Sequence, residues 1–175
     1  VGRDAGGSRD WRADPVRERG ILSKTRTDSA FREIAASPRK LYQAFVDAGS
    51  VAAWLPPEGM TGRFDAFEPR AGGAYRMTLT YADAEDAPGK SSDDSDVVEG
   101  VFVELVPDAR IVQRAEFQSD DPALAGAMTI TWRLDPVDAG TRVTVTCEDV
   151  PVAIPRKDHL AGLRSTLENL AAFVE

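Results

Sequence analysis

The stretch Ser37-Pro38-Arg39-Lys40-Leu41-Tyr42-Gln43-Ala44-Phe45-Val46-Asp47, followed closely by Val51-Ala52-Ala53-Trp54-Leu55, decides how the rest of the chain is read. Ser37 offers a side-chain oxygen to the free amides of a helix start, and Pro38 stands where no amide hydrogen is needed. Leu41, Ala44, Phe45 and Ala48 recur at helical spacing and make one apolar face. Gly49 is expected to end this helix and Ser50 to cap a second. Pro56-Pro57 then stops the second helix after little more than a turn.

Strands surround this pair. One is expected at 30–36, before the helices. Six more follow, at 61–67, 73–81, 97–106, 110–117, 126–135 and 141–149. Their links are short: Glu68-Pro69-Arg70-Ala71-Gly72, Pro107-Asp108-Ala109 and Pro136-Val137-Asp138-Ala139-Gly140. Such links demand antiparallel neighbours. The stretch 82–96 is polar and reads as a surface loop. A last helix is expected at 158–174, with Leu160, Leu163, Leu167, Leu170 and Val174 along one stripe. One apolar helix against a one-sided sheet is a natural way to bury both.

Alternation assigns a dry and a wet face to each strand. Tyr75, Met77, Leu79 and Tyr81 alternate with Arg76, Thr78 and Thr80. Glu99, Val101, Val103 and Leu105 share one parity, and Phe102 breaks it, as though lying under the N-terminal extension. Met128, Ile130 and Trp132 form a third dry row, and Val143, Val145 and Cys147 a fourth.

Composition limits the function classes. The chain is 42% hydrophobic and 29% charged, which fits an ordinary globular domain. Its net charge of -8 makes nucleic acid and anionic membranes poor partners. No apolar run approaches the roughly 18 residues of a membrane span, so neither membrane insertion nor an apolar leader is expected, and a cytoplasmic protein is the simplest reading. A single cysteine excludes an intrachain disulfide and a multi-cysteine zinc site. Residues 1–27, rich in Arg, Asp and Gly, read as a flexible extension to a domain spanning 28–175. Asp14-Pro15 within it could open one helical turn.

The order strand, helix, helix, six strands, long helix resembles the helix-grip fold of the SRPBCC (START/Bet v 1-like) superfamily. Ile34-Ala35-Ala36-Ser37-Pro38, Leu41 to Phe45 and Trp54-Leu55-Pro56 resemble the opening of the domain related to the activator of Hsp90 ATPase (AHSA1-like). So do Phe67 to Arg76, Gly100 to Pro107, Gly140 to Thr146 and the terminal helix. The resemblance implies an α+β fold: a curved, seven-stranded antiparallel sheet, two short helices, and a long C-terminal helix closing a cavity. Proteins of this kind include co-chaperones, lipid and hormone carriers and polyketide cyclases, so fold alone does not select a use.

The expected cavity lining is Trp54, Phe64, Tyr75, Met77, Glu99, Val101, Val103, Phe117, Met128, Ile130, Trp132, His159, Leu163 and Leu167. Tyr and Trp give apolar area with a polar tip, and Met adapts to irregular shapes. Such a wall suits a small hydrophobic molecule with one or two polar groups; the plainer alternative is that these side chains fill a solid core. His159, the lone histidine, reads as a helix-start surface residue without partners, or else as a base or ligand-orienting donor at the cavity mouth. Cys147 reads as buried and inert. Asp83, Glu85, Asp86, Asp93, Asp94 and Asp96 lack calcium-loop spacing and read as a solvated loop. Arg76 and Arg133 are placed on the wet face, and Glu99 on the dry one.

No catalytic residue, metal site or cofactor is assigned. The leading expectation is non-enzymatic binding of a small hydrophobic ligand, by a monomer or homodimer. One alternative is a module contacting an Hsp90-type chaperone. The other is a cyclase-like enzyme, for which Tyr75, Glu99 and His159 would be the candidate acid-base groups.

Overall fold

A computed structural model describes residues 25–82 and 94–175. Along them run β1 (Thr25–Ile34), α1 (Pro38–Val46), α2 (Ala48–Trp54), β2 (Met60–Phe67), β3 (Ala74–Tyr81), β4 (Ser95–Val106), β5 (Arg110–Phe117), β6 (Met128–Val137), β7 (Gly140–Pro151) and α3 (Arg156–Val174). A short 3-10 turn, Pro122–Leu124, precedes β6. The seven strands form one antiparallel sheet in the order β1-β7-β6-β5-β4-β3-β2. Sequence neighbours β1 and β2 thus lie at opposite edges, and α1 and α2 carry the chain between them. The expected helix-grip architecture is present.

The first two helix starts have local causes. Ser37 Oγ accepts from the Lys40 amide at 3.2 Å, and Leu41, Ala44 and Phe45 are buried. The break between the helices falls at Asp47 rather than Gly49. The Asp47 carboxylate accepts from the Ser50 amide at 2.8 Å and from the Ser50 hydroxyl at 2.7 Å. Ser50 is therefore a donor inside α2 and not its cap, because a carboxylate is the stronger acceptor of the two. Trp54 Nε1 donates to the Ala44 carbonyl at 2.9 Å and clamps α2 onto α1. α3 is tied to the end of α2 by Thr166 Oγ1 to Leu55 O and Asn169 Nδ2 to Pro56 O, at 3.2 and 2.9 Å.

Strand boundaries differ most at β1, expected at 30–36 and found at Thr25–Ile34. Its first half pairs with β7 across a bulge between Arg26 and Asp28, beside Asp149, whose φ is 59°. The polar run Thr25-Arg26-Thr27-Asp28 carried no apolar signal, yet an edge strand tolerates it. The remainder of the expected extension, residues 1–24, and the loop acids Asp83, Glu85, Asp86 and Asp93 lie outside the described residues. Asp96 is not a loop residue: it sits in β4, 1% exposed, and accepts from Tyr81 Oη at 3.4 Å.

The face of β4 is the main correction. Tyr75 pairs with Gly100 and Met77 with Val98, so Val98, Gly100 and Phe102 share the inner face with them. Phe102 is 1% exposed, whereas Val101 and Val103 are 40% and 46% exposed. A bulge between Phe102 and Glu104 then flips the alternation and returns Leu105 to the core. Valine suits a strand on either face, so a row of valines did not identify the dry one. Glu99 likewise points outward, where it forms an ion pair with Arg76.

The core collects Trp132, Leu134, Val143, Val145 and Val150 from β6 and β7, beneath Leu167, Leu170, Ala171 and Val174 of α3. Cys147 is buried among them, and its thiol is pushed up to about 12, first by burial and then by the charge of Asp28.

Candidate functional site

A partly open cavity of about 930 Å³ lies between the sheet, α2 and α3. One end is built from the opening helices. Phe45, Trp54 and Trp132 meet there edge to face or tilted, with ring centroids 4.8 to 5.7 Å apart. The floor is the inner face of the sheet: Phe64 from β2, Tyr75 and Met77 from β3, Val98 from β4, Phe117 from β5, and Met128 and Ile130 from β6. His159, Gly162, Leu163 and Thr166 of α3 form the roof.

Ten of the expected lining residues are brought together here: Trp54, Phe64, Tyr75, Met77, Phe117, Met128, Ile130, Trp132, His159 and Leu163. Four are not. Leu167 is spent in the core below α3. Val103 is exposed on the outer face, and Glu99 and Val101 border a separate, more open depression with Ala66, Arg76 and Arg114. The trio Tyr75, Glu99 and His159 is therefore not assembled around one space.

Several members carried weaker sequence signals. Phe45 and Val51 read as helix-packing residues, and they also face the cavity. Gly100 lies within the strand expected at 97–106. A Cβ there would stand 2.5 Å from the Tyr75 ring and 2.2 Å from the Arg114 carbonyl oxygen, so its absence is what lets Tyr75 lie flat across β4. Burial raises the Tyr75 phenol above its ordinary value and keeps it neutral. Gln113, also lining the cavity, accepts from Trp132 Nε1 through Oε1 at 3.3 Å. An indole N–H can only donate, which leaves the Gln113 amide N–H groups as donors.

The residue missed altogether is Asp28. It is 0% exposed, on β1, and it gathers nitrogen groups around its carboxylate. Arg26 Nε donates to both of its oxygens at 3.0 Å. His159 Nδ1 stands 2.7 Å from Oδ2, and Arg156 Nε 3.6 Å from Oδ1. Arg156 and His159 are three apart on α3 and so share a face. Burial pushes the Asp28 carboxyl up, but hydrogen bonds from Arg26 and His159, and then their charges, outweigh it and hold the group below its ordinary value. His159 is thus neither free of partners nor on the open surface. The missing signal was the strand itself: with β1 begun at 30, Asp28 had no face assigned.

Comparison with known proteins follows the same outline. A family model described as activator of Hsp90 ATPase homolog 1-like protein matches residues 35–175. Among solved structures, a protein from Chromobacterium violaceum is 34% identical, covering 85% of this chain and 96% of its own, with a TM-score of 0.75. One from Rhodobacter sphaeroides is 21% identical over 85% of this chain and 91% of its own, with a TM-score of 0.69. One from Arthrobacter aurescens is 16% identical over 87% of each chain, with a TM-score of 0.71; these last two show the fold alone. No curated protein matches the sequence. No helix among the described residues is long and apolar enough to cross a membrane. With its fold, its order of elements and most of its length accounted for in this way, the chain belongs to the activator of Hsp90 ATPase homologue 1-like family, within the SRPBCC-type fold.

Proposed function

We propose that the protein binds a small hydrophobic molecule in the cavity between the sheet and α3, and performs no chemistry on it. The observation that carries this reading is the cavity itself. Its volume of about 930 Å³ is in the upper part of the range that holds drug-sized ligands. Aliphatic, aromatic and methionine side chains make up most of its wall, with polar groups set among them. Cys147 lies in the core and not in the lining, with its thiol held protonated.

Thermal-shift screening and native mass spectrometry with lipids and polycyclic aromatics test the reading, using wild type beside Gly162→Leu. Gly162 lines the cavity from α3, and a side chain there meets nothing within 4 Å at its first carbon. The leucine is expected to occupy ligand space, so a stabilising ligand should lose its effect in the variant. A broad library without one wild-type shift overturns the proposal.

A second reading, contact with an Hsp90-type ATPase, is favoured by the family match alone. An unchanged rate of ATP hydrolysis by the Hsp90 of the same organism, at saturating protein, removes it.

A further inference from the structure

We propose that Asp28 and His159 form a buried carboxylate–imidazole pair that presents the second imidazole nitrogen to the cavity as the acceptor for a neutral hydroxyl group on the bound molecule. This rests on the ligand-binding reading above and specifies its ligand class: an apolar, uncharged compound carrying an alcohol or phenol.

The argument starts at Asp28. Its carboxylate is fully enclosed and already accepts from Arg26. A carboxylate in that state can only accept, so the 2.7 Å contact makes His159 Nδ1 the donor. In the neutral ring the proton then stays on Nδ1, and Nε2 carries a free lone pair. Among the described residues, Nε2 has no protein partner, although His159 lines the cavity and its side chain is only 16% exposed. A half-buried acceptor beside an apolar wall calls for a donor, and a ligand hydroxyl supplies one.

Charge selects the neutral form of that ligand. Glu58, Asp96, Asp121 and Asp158 also line the cavity, and their field opposes a carboxylate. Arg26 and Arg156 are turned to Asp28, on the far side of the imidazole, and neither lines the cavity. A fatty acid or other anion would therefore meet acids and, among the described residues, no cation in the lining. Asp28 acts as a positioning residue: it fixes the tautomer and the ring, and touches no ligand.

Two measurements test this. The chain has one histidine, so long-range nitrogen-15 NMR reports its tautomer without ambiguity. The expected pattern is protonated Nδ1 and bare Nε2 at a pH where the ring is neutral, blurred toward a mixture in Asp28→Asn. The second compares pyrene, hydroxypyrene and pyrene carboxylate by fluorescence titration. Wild type should prefer hydroxypyrene over pyrene by about tenfold, the order of one buried hydrogen bond, and bind the carboxylate least. His159→Phe should keep pyrene affinity and lose the preference; Arg26 and Arg156 still neutralise Asp28 there. A proton on Nε2 in wild type overturns the proposal, and so does equal affinity for pyrene and hydroxypyrene, which leaves the cavity reading standing. Binding of none of the three overturns the hydroxyl preference proposed here, and the broad library then decides the cavity reading.

Discussion

Gly100 and Tyr75 are a matched pair, since the ring occupies the space a side chain at residue 100 would take. Gly100→Ala must displace both the ring and the Arg114 carbonyl, and overpacking of that kind costs about 3 kcal/mol. Urea denaturation should show it, together with a shifted Tyr75 environment. Asp28 makes a pH prediction of definite sign. Its folded pKa is below its ordinary 3.8, so its stabilising contribution is present above that value and fades as pH falls below it. The stability gap between wild type and Asp28→Asn should therefore narrow under acid, as measured by denaturant midpoints below about pH 3.8. Residue identity alone could not reveal either role. Alternation places a side chain on a face only when the strand's start and its bulges are known, and both the bulge after Phe102 and the early start of β1 are tertiary facts.

The elements were far more legible than their faces. Ser37-Pro38 marked the start of α1, the Pro56-Pro57 pair stopped α2, and every strand from β2 to β7 lay within a few residues of its apolar alternation. Tight turns fixed the pairs β2–β3, β4–β5 and β6–β7, and the structure adds the remaining neighbours, β1 beside β7 among them. Helix α3 holds one oddity, a glycine in its interior on the cavity side. Gly162→Ala meets open space and should stabilise the helix by about 1 kcal/mol, since alanine restricts the unfolded chain without strain in the folded one. A rise in the urea midpoint with unchanged slope would show it. That such a gain is left unused fits a helix whose inner face is reserved for space.

For the molecule as a whole, the cavity is what the sequence conveyed least directly. Apolar periodicity says that a face is dry, not whether its neighbours touch, and Phe64, Met77 and Ile130 would have looked the same in a solid core. Only the resemblance separated the two, and the geometry agrees with it. A ligand seated against the apolar part of this wall buries surface that only the folded state assembles, and so stabilises that state. At one hundred times its Kd, a ligand confined to the folded state adds about 2.7 kcal/mol, and melting temperature should climb with its concentration.

The sheet order also has a consequence in time. Among the described strands, β1 pairs with β7 alone, with Ile34 opposite Thr141 and Thr25 opposite Pro151. A ribosome adding about 5–20 residues per second leaves β1 waiting on the order of 5–25 s for its partner, and Asp28 waits longer still for His159. Nascent chains halted within β6 should be cut by protease between residues 25 and 34, and chains released in full should not. The earliest of the described strands is among the last to be secured, and a chaperone that guards new chains would find its work there.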